Sequence, residues 1–224
     1  MFYEYADRIL RLAEESVTVV QDTETARGRL QIGSLEATAL SDLPELISAY
    51  HSNYPNVTLS ISTDLNDVFL NRVLNRTLDG AFVTTPGPHP ELNEIFIKRE
   101  ELVLVGGINQ QKESAMQVLR EAPLITFPEG SVFRRRLELL LASHKIDYGN
   151  RLTFFNSLGA MIVNIVSGLG YGYLPKSIID PYIDRNVMRE YTLHDPYSSL
   201  DIVFIYRRDH QMNPAFRYFV DMLK

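Results

Sequence analysis

A chain of 224 residues with 45% hydrophobic and 22% charged residues has an ordinary globular composition, and length for one large domain or two lobes. A formal net charge of −6 and a pI near 5.4 exclude nucleic-acid binding through an overall positive surface, and the lack of cysteine excludes a disulfide framework and a cysteine-ligated zinc. No apolar run reaches the roughly 18 residues of a membrane span, and the charged start MFYEYADRILRLAEE has no apolar stretch like a secretory signal, so no membrane partner and a cytoplasmic location are expected.

The first expected element is a helix over 3–22, where Tyr5, Ile9, Leu12, Ser16 and Val19 recur at spacings of four and three. It reads either as a helix lying on its own domain or as the end of a linker or dimer helix. The second reading is preferred because the pattern starts without an N-cap. From Gly28 onward strand and helix alternate. The pattern predicts a strand over 29–33, a helix over 42–54, a strand over 57–62, a helix over 65–76 and a strand over 80–85, after which Pro86-Gly87 and Pro88-His89 break the rhythm. A second series predicts strands at 93–98 and 101–105, a helix at 110–121, a strand at 123–127 and a helix at 131–144. It continues with a strand at 151–155, a helix at 157–168, a strand at 171–174 and a helix starting near Pro175. Strands at 187–192 and 200–206 and an amphipathic helix at 214–223 complete the chain.

Such alternation means α/β layers, with parallel strands covered on both faces, and the break near 86–90 divides it into two lobes. Ligands of open α/β sheets collect beyond the carboxyl ends of the strands. The segments at those ends are 34–38, 63–66, 84–86, 128–131 and 156–157, and they are rich in Ser, Thr and Asn. Helix starts in such segments carry partial positive charge, which favours an anionic ligand.

The stretch GRLQIGSLEATALSDLPELISAYHSNYPNVTLSI (28–61) resembles the effector-binding domain of LysR-type transcriptional regulators, with a Gly-x-Leu-x-Ile-Gly strand, Leu-Pro opening a helix and Tyr-Pro-x-Val before the next strand. LDGAFVTTP (78–86), EELVLVGG (100–107) and IVSGLGYGYLP (165–175) are similar to further segments of that family, in its order. The resemblance implies a two-lobed, periplasmic-binding-protein-like (type 2) fold of two mixed sheets flanked by helices and joined by two crossover strands. Residues 1–27 would be the end of the linker helix, 28–98 with 200–224 the first lobe and 101–193 the second, with 99–100 and 194–199 as hinge crossovers. It also implies a small-molecule effector in the inter-lobe cleft, no cofactor, no metal, no catalysis, and a homodimer or homotetramer. DNA would be bound only through a winged helix-turn-helix that this chain does not include. By matching position the effector contacts are Ser34, Glu36, Thr38, Thr63, Thr84, Thr85, Ser131 and Asn156. Leu35 and Ala37 stand where other members carry polar residues, so side-chain contacts in that loop fall to Ser34, Glu36 and Thr38.

Each of these residues has a purely structural reading as well. Ser34, Thr38 and Ser41 suit helix capping, as do Ser131 and Asn156-Ser157. Of Arg134, Arg135 and Arg136, three successive helical positions, at most one or two face a cleft. GLGYGY (168–173) runs from helix into strand, the reverse of a dinucleotide-binding turn, so its glycines are expected to end a helix. Asp79 reads as a turn residue. The apolar faces of 42–54 and 214–223 are candidates for subunit contacts. The five histidines show no metal-ligand spacing, and no nucleophile–base pair stands out. Two rivals share the scaffold: a solute-binding protein for transport, weakened by the missing signal and the 3–22 helix, and an enzyme, weakened by the missing catalytic constellation.

Overall fold

The computed structural model describes residues 9, 26–193, 196–210 and 213–224. The linker helix expected over 3–22 falls, apart from Ile9, outside the described residues, as does part of the second hinge segment at 194–195. In chain order the elements are β1 (Gly28–Ser34), α1 (Glu36–Ser41), α2 (Leu43–Asn53), β2 (Val57–Thr63), α3 (Asn66–Leu74), β3 (Gly80–Thr84) and β4 (Leu92–Gly107). There follow α4 (Ala115–Glu121), β5 (Leu124–Thr126), α5 (Val132–Ser143), β6 (Leu152–Phe154), α6 (Leu158–Val166) and β7 (Tyr171–Pro175). The last are α7 (Lys176–Asp184), β8 (Met188–Tyr191), β9 (Ser199–Arg207) and α8 (Pro214–Asp221). The chain forms two compact units. Unit 1 runs up to Ile97 and takes in Ile202–Lys224, and unit 2 is Lys98–Asp201, so β4 and β9 are each shared by both.

In unit 1 the strand order is β2-β1-β3-β9, with β2, β1 and β3 parallel and β9 antiparallel to β3. Alternation along the strands fills both faces. Leu30, Ile32, Phe82 and Phe204 face one core with Leu43, Tyr50, Phe216 and Phe219, while Ala81, Val83, Val203 and Ile205 face the other with Phe69 and Val73. Fully burying such a side chain stabilises the fold by about 1.5–3 kcal/mol. In unit 2 the order is β4-β7-β5-β6, with β8 also on β4. There β5 runs parallel to β6 and β7, and β4 antiparallel to β7 and β8. Both sheets are therefore mixed.

The structure departs from the sequence-based expectation in four places. A short helix, α1, fills 36–41, where the sequence suggests a loop. Its Ala37, Ala39 and Leu40 are good helix formers, and it is divided from α2 at Asp42 because Pro44 has no N–H to give the Leu40 carbonyl. The strands expected at 93–98 and 101–105 are one strand, β4. The charges between them are each met in place: Arg99 forks onto Asp201 at 2.7 and 3.0 Å, and buried Glu100 accepts from the Ser177 hydroxyl (2.8 Å) and N–H (3.2 Å) and from Lys98 at 2.5 Å. The helix expected from 110 begins only at Ala115, where Ser114 accepts from the Gln117 N–H. The apolar faces of α2 and α8 are spent inside unit 1 rather than left for a second subunit. Leu43, Tyr50, Phe216 and Phe219 are buried there, and Leu46 and Ile47 pack against them.

Candidate functional site

The carboxyl ends of β2, β1 and β3 lie side by side and each is a hydroxyl residue. Ser34 pairs in register with Thr63 on one side and with Phe82, two residues before Thr84, on the other. Ser34 is completely buried, Thr38 is 3% exposed and Thr84 is 7% exposed, which is unusual company for three hydroxyls. Thr63 and Thr85 are exposed, and Glu36 is half-buried.

None of the capping roles expected here is taken. α1 is preceded by Leu35 with no side-chain cap, the Ser34 hydroxyl donates to the Leu35 carbonyl at 3.0 Å, and the Ser41 hydroxyl turns to the Ala37 carbonyl and Asp42. Thr38 has no hydrogen-bond partner for its hydroxyl among the described residues. That oxygen is not sealed off, because no fully buried side-chain polar atom among those residues lacks a partner. Thr84 is engaged by Asn66, which donates to its hydroxyl and accepts from its N–H at 3.2 Å. Asn66 was missed in the sequence. It lies in the 63–66 segment singled out there, but its contact with Thr84 spans 18 residues and leaves no local signature.

In unit 2, β5 and β6 end together at Thr126 and Phe154. Ser131 follows β5 and precedes α5. It is 7% exposed, and its hydroxyl makes no capping bond. Asn156 follows β6 and is exposed. Ser157 caps α6 instead, accepting from the Ala160 N–H. Arg134 donates to Glu138 at 2.8 Å and lies 4.7 Å from the centre of the Phe154 ring. The hydrogen bond and charge of Glu138 hold its guanidinium above the ordinary pKa. Arg135 is exposed, and the Arg136 charge helps to lower the pKa of Asp201, after the larger effect of the Arg99 hydrogen bond.

Two motifs take structural roles. Asp79 accepts from the Gln31 N–H at 2.7 Å and lies 3.1 Å from the His210 ring, tying β1 to the start of β3. At the end of α6, Gly168 (φ +88°) donates to the Ile165 carbonyl and Leu169 to the Asn164 carbonyl, a helix-ending pair of bonds that needs a left-handed residue.

The two rims are therefore sets of small polar groups at strand ends, with Ser34, Thr38, Thr84 and Asn66 on unit 1 and Ser131 on unit 2. Hydroxyls and an amide can donate to and accept from a ligand, but no described group there is paired as nucleophile and base.

Residues 23–224 match the family described as the LysR substrate binding domain. The chain is 31% identical over 220 residues to the HTH-type transcriptional regulator SoxR of Arthrobacter sp. (strain TE1826), covering 98% of this chain and 74% of that protein. Among solved structures it is similar to the effector binding domain of QuiR in complex with shikimate, with a TM-score of 0.74 and 18% identity, covering 88% of this chain and 96% of that one. It is also similar to full-length CbnR complexed with its target DNA, with a TM-score of 0.74 and 21% identity, covering 99% and 79%. At these identities the two structures share the fold.

Proposed function

From the premise that this chain belongs to the LysR substrate-binding-domain family and is the effector-binding domain of a LysR-type regulator, we propose that it senses a small polar molecule at the strand-end rims. The residues offered are Ser34, Glu36, Thr38, Thr63, Thr84 and Thr85 on the unit 1 rim, with Thr38 and Ser34 central, and, by themselves, Ser131 and Asn156 on the unit 2 rim. The observation that carries this reading is the Thr38 hydroxyl, on a residue only 3% exposed, still reachable and without a protein partner among the described residues. Its oxygen is not sealed off, so a ligand that reaches it can complete its hydrogen bonding in place of water.

The effector acts by binding one arrangement of the domain better than another. That preference is passed to a DNA-binding domain of the kind the HTH-type relatives carry, within a homodimer or homotetramer. No helix of the described residues is long and apolar enough to cross a membrane, and a protein that reads DNA works in the cytoplasm. The ligand leaves unchanged, since the rims offer hydrogen-bonding groups and no activated nucleophile.

A thermal-shift screen of small polar metabolites tests the reading. A ligand at one hundred times its dissociation constant adds about 2.7 kcal/mol of stability. Thr38→Val keeps the shape and removes the hydroxyl, and it should abolish the shift given by the best compound without lowering the melting temperature of the free protein. An unchanged shift in Thr38→Val, or turnover of the compound, overturns the proposal.

A further inference from the structure

We propose that unit 1 carries a further ligand site, walled by the proline-rich segment after β3, that takes a free α-amino acid with an apolar side chain. It does not rest on the effector-sensing reading, and of the rim residues it shares only Thr85.

The site is a cavity of about 660 Å³ lined by residues within 85–90, by the start of β4 and by Arg208 just past β9. That volume is usual for a small-molecule site. Pro88, Pro90 and Leu92 make part of its wall apolar. The prolines that break the strand–helix rhythm in the sequence also fix φ and withhold N–H groups, so this segment joins no ladder. It is anchored at its end instead, where the Leu92 N–H donates to the His89 carbonyl and the Glu91 N–H to His89 Nδ1, both at 3.2 Å.

Two opposite charges line the cavity and neither is neutralised. Arg208 is fastened by its Nε, which donates to the Leu92 carbonyl at 2.9 Å, and its two terminal nitrogens have no partner among the described residues. The Glu94 carboxylate has none there either, Arg208 included. Their neighbours are different: Arg207 is taken up by Glu91 at 3.0 Å and by Asp209 at 2.7 Å. An amino acid brings both complements, a carboxylate for the guanidinium fork and an ammonium for Glu94. A simple anion leaves Glu94 opposing it, and a simple cation leaves Arg208 doing so. Two further groups can fix the ligand's orientation. With Nδ1 accepting, the His89 ring carries its proton on Nε2, and neither that N–H nor the Asn93 amide has a partner among the described residues.

Titration of the isotope-labelled chain with L-leucine, L-leucinamide and 4-methylpentanoate, followed through the backbone amide signals, tests the proposal. The two analogues keep the side chain, and lose the negative and the positive charge respectively. Leucine should shift the Asn93, Glu94 and Arg208 signals saturably and bind about tenfold more tightly than either analogue, the worth of a hydrogen bond between charged groups. Glu94→Gln should weaken leucine about tenfold and bring 4-methylpentanoate level with it. Arg208→Gln should do the same for leucinamide. Glu94 is exposed and unpaired among the described residues, so Glu94→Gln should leave the melting temperature where it is. Thr38→Val should bind leucine as the native chain does. No saturable shift with leucine, an analogue that matches leucine on the native chain, or undiminished leucine binding in Glu94→Gln overturns the proposal. Loss of leucine binding in Thr38→Val overturns it too, and places leucine at the strand-end rim with the sensing reading intact.

Discussion

The side chain of Asn66 grips the end residue of β3 from both sides. Its amide nitrogen donates to the Thr84 hydroxyl and, at 3.4 Å, to the Thr84 carbonyl, while its oxygen accepts from the Thr84 N–H at 3.2 Å. The last residue of a strand has no further ladder to satisfy its backbone, and here the first residue of α3 does that work. Thr84 is therefore oriented, and its hydroxyl, which accepts from Asn66, meets a ligand with its own O–H and its remaining lone pair. Asn66→Ala should destabilise the chain by about 1–3 kcal/mol, the cost of leaving a buried N–H unsatisfied, and should weaken effector binding as well. Asn66→Asp keeps an acceptor for the N–H and loses both donors, so its cost should lie between the two. Urea denaturation of the three proteins gives the order. Equal stability of native chain and Asn66→Ala would show that the contact contributes nothing.

Tyr50 offers a simpler case in the unit 1 core. Its hydroxyl donates to the Ala215 carbonyl at 2.8 Å, joining α2 to α8, and burial raises its pKa well above the ordinary tyrosine value, so it stays a neutral donor at any working pH. Its ring packs edge-on against Phe219 at 5.3 Å. Tyr50→Phe keeps the ring and removes the donor, and should cost about 1 kcal/mol. Phe219→Ala removes the ring it packs on and should cost about 3–5 kcal/mol. Chemical denaturation separates the two, and a reversed order would mean that the aromatic core is held by its hydrogen bond and not by packing.

Gly107, at the end of β4, lies under the end of α6. A Cβ there would come within 2.8 Å of the Ile165 carbonyl oxygen and 2.9 Å of that of Val166, both backbone atoms that cannot swing away. Gly107→Ala should therefore destabilise unit 2 by about 1–3 kcal/mol, as overpacking does. Gly172→Ala meets instead the Cδ1 of Ile165, a side-chain end that can change rotamer, and should cost less. Melting temperatures of the two variants decide this, and a Gly107→Ala protein as stable as the native one would show that α6 moves aside.

How much of the fold is legible in the sequence depends on the range of the interactions involved. The alternation of strand and helix is local, and the hydroxyl residues at the ends of β1, β2 and β3 stand out as the polar residues that close each apolar run. The break before α2 is legible in Pro44, but the helix before it is not. Ala37, Thr38 and Ser41 look like loop residues until packing of Ala37 and Thr38 against unit 1 favours a helix. The continuity of β4 is hidden because Arg99 and Glu100 interrupt the apolar pattern between 98 and 101, and the partners that hold them, Asp201 and Ser177, are 102 and 77 residues away. The same holds at the rims. Pattern points to Asn156 and Ser157 equally, and only geometry assigns the cap to Ser157. The sequestration of Arg134 needs Glu138, one helical turn on, and also Phe154, on another strand.

A last prediction concerns acid. Asp209 accepts from the Arg207 Nε at 2.7 Å and from its terminal nitrogen at 3.0 Å, and Arg76 reaches the same carboxylate. The Arg207 hydrogen bond, with the charges of Arg76 and Arg207, pulls its pKa from 3.8 down to about 2. A carboxyl whose folded pKa is depressed contributes stability above the unfolded value, and that contribution fades as pH falls from near 3.8 toward the folded value near 2. The unfolded chain binds the proton first over that interval. Asp201 behaves in the same sense through the Arg99 hydrogen bond. Both carboxylates lie near the surface, so each effect is modest and screened by salt. Asp209→Asn should thus be less stable than the native chain at neutral pH and indistinguishable from it near pH 2, with the gap narrowing in high salt. Urea midpoints of the two proteins measured across that pH range check it. A gap that persists unchanged at the acid end would mean that the amide disturbs packing and that ionisation of Asp209 is not what stabilises the fold.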